Sequence, residues 1–202
     1  MKEITKEGEN ERMKKQDLKM FVGIGMFGSI AFILMLLNFP LPPFPSFLNV
    51  DLSDVPALLA AIIFGPVAGI LVELVKNVLD FVITGSETGI PIGHIANFVA
   101  GVTFVLPTYY IYKKMSSKKG LIIGLVTSTI CMAIFMSFMN FYVFLPAYGM
   151  LGGFGAQIKY VAAVILPFNI IKGLMMSVVF VLLFSRLRVW IEKMTPAKLG
   201  RA

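Results

Sequence analysis

Glu73, Lys76, Asn77 and Asp80 recur at i, i+3, i+4 and i+7 within the apolar run from Val55 to Ile83. On a helix that spacing stacks all four on one face. Ionisable groups in so apolar a setting are costly unless paired, so they mark either an ion or proton path or an internal polar seam. In the second reading Lys76 neutralises Glu73 or Asp80. Near the other end of the chain, Asn169 and Lys172 lie at i and i+3 behind Pro167, with no acid close by in sequence. Lys172 therefore needs a carboxylate from another helix, or a ligand. Asparagine offers donor and acceptor and lysine only donors, so the pair suits the polar, carbonyl-bearing edge of a ring. Pairing of Lys172 with the acids at 73 and 80 is the other reading. Asn97 and Asn140 also stand in apolar runs, either as links between helices or as ligand contacts.

The remaining inventory is thin. His94, the one histidine, follows Pro91 and Gly93 at a helix start and is expected to cap or to sit at an interface. Cys131, the one cysteine, excludes an internal disulfide and is expected to be a buried apolar filler. No metal site, cofactor or enzymatic activity is expected. There is no G-x-x-x-x-G-K-[ST] loop, so the chain does not itself bind ATP in the usual way, and H-E-x-x-H and G-x-S-x-G are missing too.

The elements that must position these residues follow from composition and charge. Of 202 residues, 57% are hydrophobic and 14% charged, against roughly 25% charged in a water-soluble chain. Most of the chain must face lipid or apolar protein, which makes it an integral membrane protein. A nucleic-acid partner is not expected despite the net charge of +7. The basic residues cluster: six from Lys2 to Lys19, four at Lys113, Lys114, Lys118 and Lys119, and five at Arg186, Arg188, Lys193, Lys198 and Arg201. Such clusters beside apolar spans mark cytoplasmic segments, so both termini are expected inside. The N-terminal tail lacks the apolar core and cleavage site of a secretory signal and is expected to be retained.

Spans are read at Met20 to Leu37, Thr88 to Tyr112, Gly120 to about Phe144, and Tyr160 to Ser185. Val55 to Ile83 divides at Gly65-Pro66, because only six crossings put all three basic clusters on one side. Its first piece, to Phe64, is short and is expected to be tilted or partly external. The reading is an all-α protein of six transmembrane helices: a tail at 1–18, a membrane domain at 19–190 and a second tail at 191–202. Asn38 to Asp54, Thr84 to Gly93 and Pro146 to Lys159 then lie outside. In the first outer loop, Pro40, Pro42, Pro43 and Pro45 favour stiff extended backbone, and Phe39, Phe44 and Phe47 either join an aromatic belt or cover a ligand. Gly25 and Ser29 form a small-xxx-small step for close helix approach in the first span, with Gly23, Gly28 and Ala31 as alternatives.

The proline-rich loop, the run NVDLSDVPALLAAIIFGPVAGILVELVKNVLDF, the segment GSETGIPIGHIANFVAG and the final PFNIIKG together resemble the riboflavin-binding S components of energy-coupling factor (ECF) transporters. The resemblance spans about Lys19 to Arg188. It implies a multi-pass protein of the bacterial cytoplasmic membrane that captures riboflavin from outside and works with a transmembrane T component and two ATPases. It implies that Asn169 and Lys172 bond the pyrimidine edge of the flavin ring. Leu41, Phe44 and Phe47 would cover the ligand, and Gly93, Asn97 and Asn140 would touch ring or ribityl chain. Two rival readings stand beside it: an S component for another vitamin, and a stand-alone secondary transporter coupled through Glu73, Lys76 and Asp80. The lack of an inverted repeat of broken helices weighs against the second.

Overall fold

Gly65 adopts a φ of +108°, and Pro66 behind it opens a new helix with no N–H to donate. A side chain at 65 would be strained in that conformation, and proline is pre-set for the first helical position. The long apolar run therefore breaks where the sequence predicts, into α2 (Asp54–Phe64) and α3 (Pro66–Thr84). The computed structural model describes residues 2–86, 89–150 and 152–194. Thr88, the expected start of one span, and the tail residues Lys198 and Arg201 lie outside them.

The described residues form six helical runs. α1 is Lys2–Leu36 and α4 is Ile92–Met115. α5, Lys118–Met139, runs on through a π-helical turn at Asn140–Phe144 to Leu145–Ala147. α6 starts at Phe154–Tyr160, passes a second π turn at Val161–Ile165 and continues as Leu166–Met194. Four of the six, α1, α4, α5 and α6, are long and apolar enough to cross a bilayer. Pro146 was expected to end the fifth helix and the glycines after it to form a loop up to Lys159. Instead the helix carries Pro146 to Ala147, and α6 begins at Phe154. Wider π turns leave some backbone groups without an i−4 partner, so a proline nearby forfeits less than in a regular helix.

α2 is the core. Ten consecutive residues, Asp54 to Ile63, are buried, against α1, α3, α4 and α6. Eleven residues rise only about 16 Å, so this helix is enclosed by longer neighbours. Small side chains permit it. A Cβ on Gly69 would stand 2.8 Å from the Cβ of Ala61 and 3.0 Å from Val105. In lipid such seams are held by dispersion and interhelical hydrogen bonds rather than by escape from water. One such bond is Thr108 Oγ1 to Ser128 Oγ at 2.7 Å, between α4 and α5.

The first loop is less extended than its prolines suggest. Phe39 and Pro40 (β1) pair antiparallel with Asn49 and Val50 (β2). Between them, turns close through Phe44 N–H to the Leu41 carbonyl (2.8 Å) and Leu48 N–H to the Pro45 carbonyl (2.9 Å). The strand pair pins both ends, so the prolines supply turns rather than a straight rod. Cys131 is exposed, not buried; it lies on the outward face of α5 beside exposed Ile130 and Ile134.

Candidate ligand-binding site

All three of the loops read as external contribute to one cavity of about 330 Å³. Phe47, Leu48, Asn49 and Asp51 come from the first, Gly85 and Ser86 from the second, and Tyr148 from the third. Helices supply the rest of the wall, among them Asp80, His94, Asn97, Asn140, Phe168, Asn169 and Lys172. Of the eight residues the resemblance implied for the ligand, Phe47, Gly93, Asn97, Asn140, Asn169 and Lys172 line this space. Phe44 stands behind it, edge-on to the cavity residue Phe168 with ring centroids 5.5 Å apart. Leu41 takes part through its carbonyl, which holds the turn that carries Phe44. Gly93 keeps the wall open: a Cβ there would meet the Tyr148 hydroxyl at 3.1 Å.

The two asparagines beside the π turns are held alike. Asn140 Nδ2 donates to the Met136 carbonyl and Asn169 Nδ2 to the Ile165 carbonyl, each at 2.8 Å. Each amide keeps an oxygen and a second N–H to offer.

Asp51 organises the floor. Its Oδ1 accepts the backbone N–H of Ser53 at 2.9 Å and also the Ser53 hydroxyl. Its Oδ2 accepts Asn97 Nδ2 at 3.1 Å and faces Lys172 Nζ at 3.5 Å. Burial pushes the Asp51 carboxyl up, but Lys172, Lys76 and the two Ser53 bonds outweigh it and hold it well below the usual carboxylate range. Thus Lys172 pairs with a loop acid, not with the acids of α3. Asp51 was passed over in the sequence because it lies in a loop with no periodic partner.

Beneath this lies a second network that touches no cavity surface. Lys76, fully buried, donates to the carboxylate of Asp54 and to the Ser53 hydroxyl at 2.6 Å, and forms an ion pair with Glu73 Oε2 at 2.7 Å. Gly101 of α4 makes room, since any Cβ there would collide with the Glu73 carboxylate. Of the two partners the spacing offered Lys76, Glu73 is taken. Asp80 instead meets His94 Nε2 at 2.9 Å. His94 also lies edge-on to Phe81, centroids 5.5 Å apart.

Gly25 and Ser29 are far from this cavity. Both face outward, and nothing lies within 4 Å of a Cβ built on Gly25. On the other face of α1, a Cβ at Gly28 would meet Val75 at 2.9 Å and one at Gly23 would run into Phe64, so those glycines are used within the chain.

Comparison with known proteins agrees with this architecture. The family model described as "ECF transporter, substrate-specific component" matches residues 19–184. The riboflavin transporter FmnP of Bacillus subtilis (strain 168) is 48% identical over 186 residues, 89% of this chain and 97% of that protein. The riboflavin transporter RibU of Staphylococcus aureus (strain TCH60) is 44% identical over 186 residues, 90% and 97% of the two chains. A solved structure described as that of the S component of a bacterial ECF transporter superposes with a TM-score of 0.77 at 46% identity, covering 87% of this chain and 99% of that one. A membrane-embedded helical bundle with a polar-lined cavity, matched by that family model over most of its length, belongs to the substrate-specific components of ECF transporters.

Proposed function

We propose that this chain captures riboflavin at the outer face of the bacterial cytoplasmic membrane and delivers it inward together with an ECF T component and two ATPases. The observation that carries the reading is the meeting of Asn140, Asn169 and Lys172 with the aromatic wall of Phe47, Tyr148 and Phe168 around one cavity. A flavin needs that combination: flat apolar surface for the ring, and convergent donors and acceptors for the carbonyl–NH–carbonyl edge. Asn169 and Lys172 address that edge, Asn140 and Asn97 take neighbouring polar atoms, and the Leu41–Phe47 turns cover the ring. The names of the relatives support riboflavin over another vitamin.

In this reading the six helices cross the membrane with both termini and the Lys113–Lys119 turn inside, which leaves the cavity mouth outside. The chain carries no nucleotide loop, so uphill movement is driven by partners, and the open Gly25/Ser29 face of α1 is where a partner helix can approach closely. A self-sufficient carrier coupled through Glu73, Lys76 and Asp80 has less support, because Lys76 is closed off by Asp54 and Glu73, and Asp80 by His94.

Titration of the detergent-purified protein with riboflavin, without ATP, tests the assignment. Stacking on aromatic side chains should quench flavin fluorescence. Absence of quenching and of heat on mixing, in folded protein, would overturn it.

A further inference from the structure

α1 packs against α2 and α3, and α6 against α5 and α2. Because α2 rises only about 16 Å, it floors the space between α1 and α6 without filling it. A groove of about 500 Å³ remains there and shares no lining residue with the ligand cavity. Phe27, Ile30 and Leu34 of α1 form one wall and Leu183 and Leu187 of α6 the other, over the first turns of α2. Every residue that lines it is apolar. Its outer lip stays open at Ile30, which is 47% exposed.

Charge marks one end of this groove. Met35 of α1 and Lys172 of α6 both stand at the ligand cavity. Lys19 to Met35 and Lys172 to Arg186 each span roughly 21–24 Å of helix, so Lys19 and Arg186 lie together at the end away from that cavity. Lys19 falls about three turns before Ile30, back on nearly the same side of α1. Arg186 stands one turn beyond Leu183 and next to Leu187. Both basic side chains are exposed, and among the described residues neither has an acidic partner.

We infer that this groove seats an acyl chain of an anionic phospholipid whose headgroup phosphate is held by Lys19 and Arg186. Two features select a lipid over a protein helix. Close helix seams in a bilayer use small residues, but large side chains wall this groove, and α1 turns Gly25 and Ser29 to its opposite side. The polarity also runs as in a lipid: apolar along the slot, then two cations at its end. A guanidinium and an ammonium there give a phosphate charge-assisted hydrogen bonds. A chain in the slot supplies dispersion contacts to the floor, and so steadies the helix whose Asp54 holds Lys76.

Dioleoyl phosphatidylglycerol and dioleoyl phosphatidylcholine share their chains and differ in headgroup charge. Each is added to the delipidated full chain in neutral detergent. Native mass spectrometry counts the lipid retained, and thermal unfolding reads the stabilisation that selective binding to the folded state gives. The wild type should hold one phosphatidylglycerol about tenfold more tightly than phosphatidylcholine. Lys19→Gln/Arg186→Gln should abolish that preference. Ile30→Trp, which fills the slot from its exposed lip, should weaken retention of both lipids by about tenfold. Should Ile30→Trp fail to unfold cooperatively, Leu34→Phe blocks the same slot. Equal retention of the two lipids by the wild type, or undiminished retention in a folded blocking variant, would overturn the lipid seat. Loss of cellular uptake with lipid retention unaltered would assign the groove to a protein helix instead.

Discussion

Lys172 of α6 and Asp51, just ahead of α2, lie 121 residues apart in sequence, yet Nζ and Oδ2 face each other at 3.5 Å on the cavity floor. The pair joins two distant stretches of the chain at the wall of the cavity. It also gives a buried ammonium its counter-charge. A lysine placed in this way can redirect N–H bonds to a carbonyl without losing its counter-charge.

Lys172→Met is therefore expected to weaken riboflavin binding by about 1.5–3 kcal/mol, roughly ten- to over a hundredfold. It also strands Asp51, which by itself destabilises the fold. The double variant Lys172→Met/Asp51→Asn removes the stranded charge. It should recover thermal stability and still bind weakly. Recovery of affinity along with stability would make Lys172 purely structural.

Lys76→Met should do the opposite. It leaves Asp54 and Glu73 as buried carboxylates without their shared cation, and breaking such a pair costs about 3–5 kcal/mol. A large fall in melting temperature is expected, with near-normal affinity in whatever fraction folds. Wild-type stability in this variant would contradict the network.

Acid should act through Asp51. A carboxyl whose pKa is held down by folding adds stability that is complete above its unfolded value, about 4, and is lost as pH falls through the lower folded value. The stability gap between wild type and Asp51→Asn should be constant from about pH 7 to 5 and narrow below about pH 4. Thermal unfolding in detergent across that range measures it, and a gap that persists undiminished to pH 3 would mean that Asp51 is not held ionised.

Sidedness is open to chemical labelling. In a Cys131→Ala background, Ser46→Cys on the first loop should react with an impermeant thiol reagent in intact cells. Ser116→Cys in the basic turn should not. Labelling at 116 would refute the six-crossing arrangement.

Gly25→Leu/Ser29→Leu is expected to retain riboflavin affinity and lose uptake, since two bulky side chains would hold a partner helix away from α1. Binding titrations paired with cellular accumulation assays separate the two. Normal uptake would reject this docking face, and concentrative uptake by the chain alone would reject dependence on ATPase partners.

Sequence alone determined the membrane class, the break at Gly65-Pro66, and the one-face stacking of Glu73, Lys76, Asn77 and Asp80. Those are properties of composition and of local backbone preference, which need no distant partner. The three loops at the cavity were legible too, because prolines, glycines and the placement of basic clusters set them apart from the spans. Tertiary structure alone decided who pairs with whom. Periodicity offered Lys76 two acids and Lys172 none, whereas packing gave Lys76 both Glu73 and Asp54, gave Asp80 to His94, and brought Asp51 to Lys172. It also turned Cys131 outward and carried α5 past Pro146. The physical reason is range. Helix and turn preferences act over a few residues, while the cost of a buried charge is settled by whatever group the fold brings within a few ångströms, however far along the chain it began.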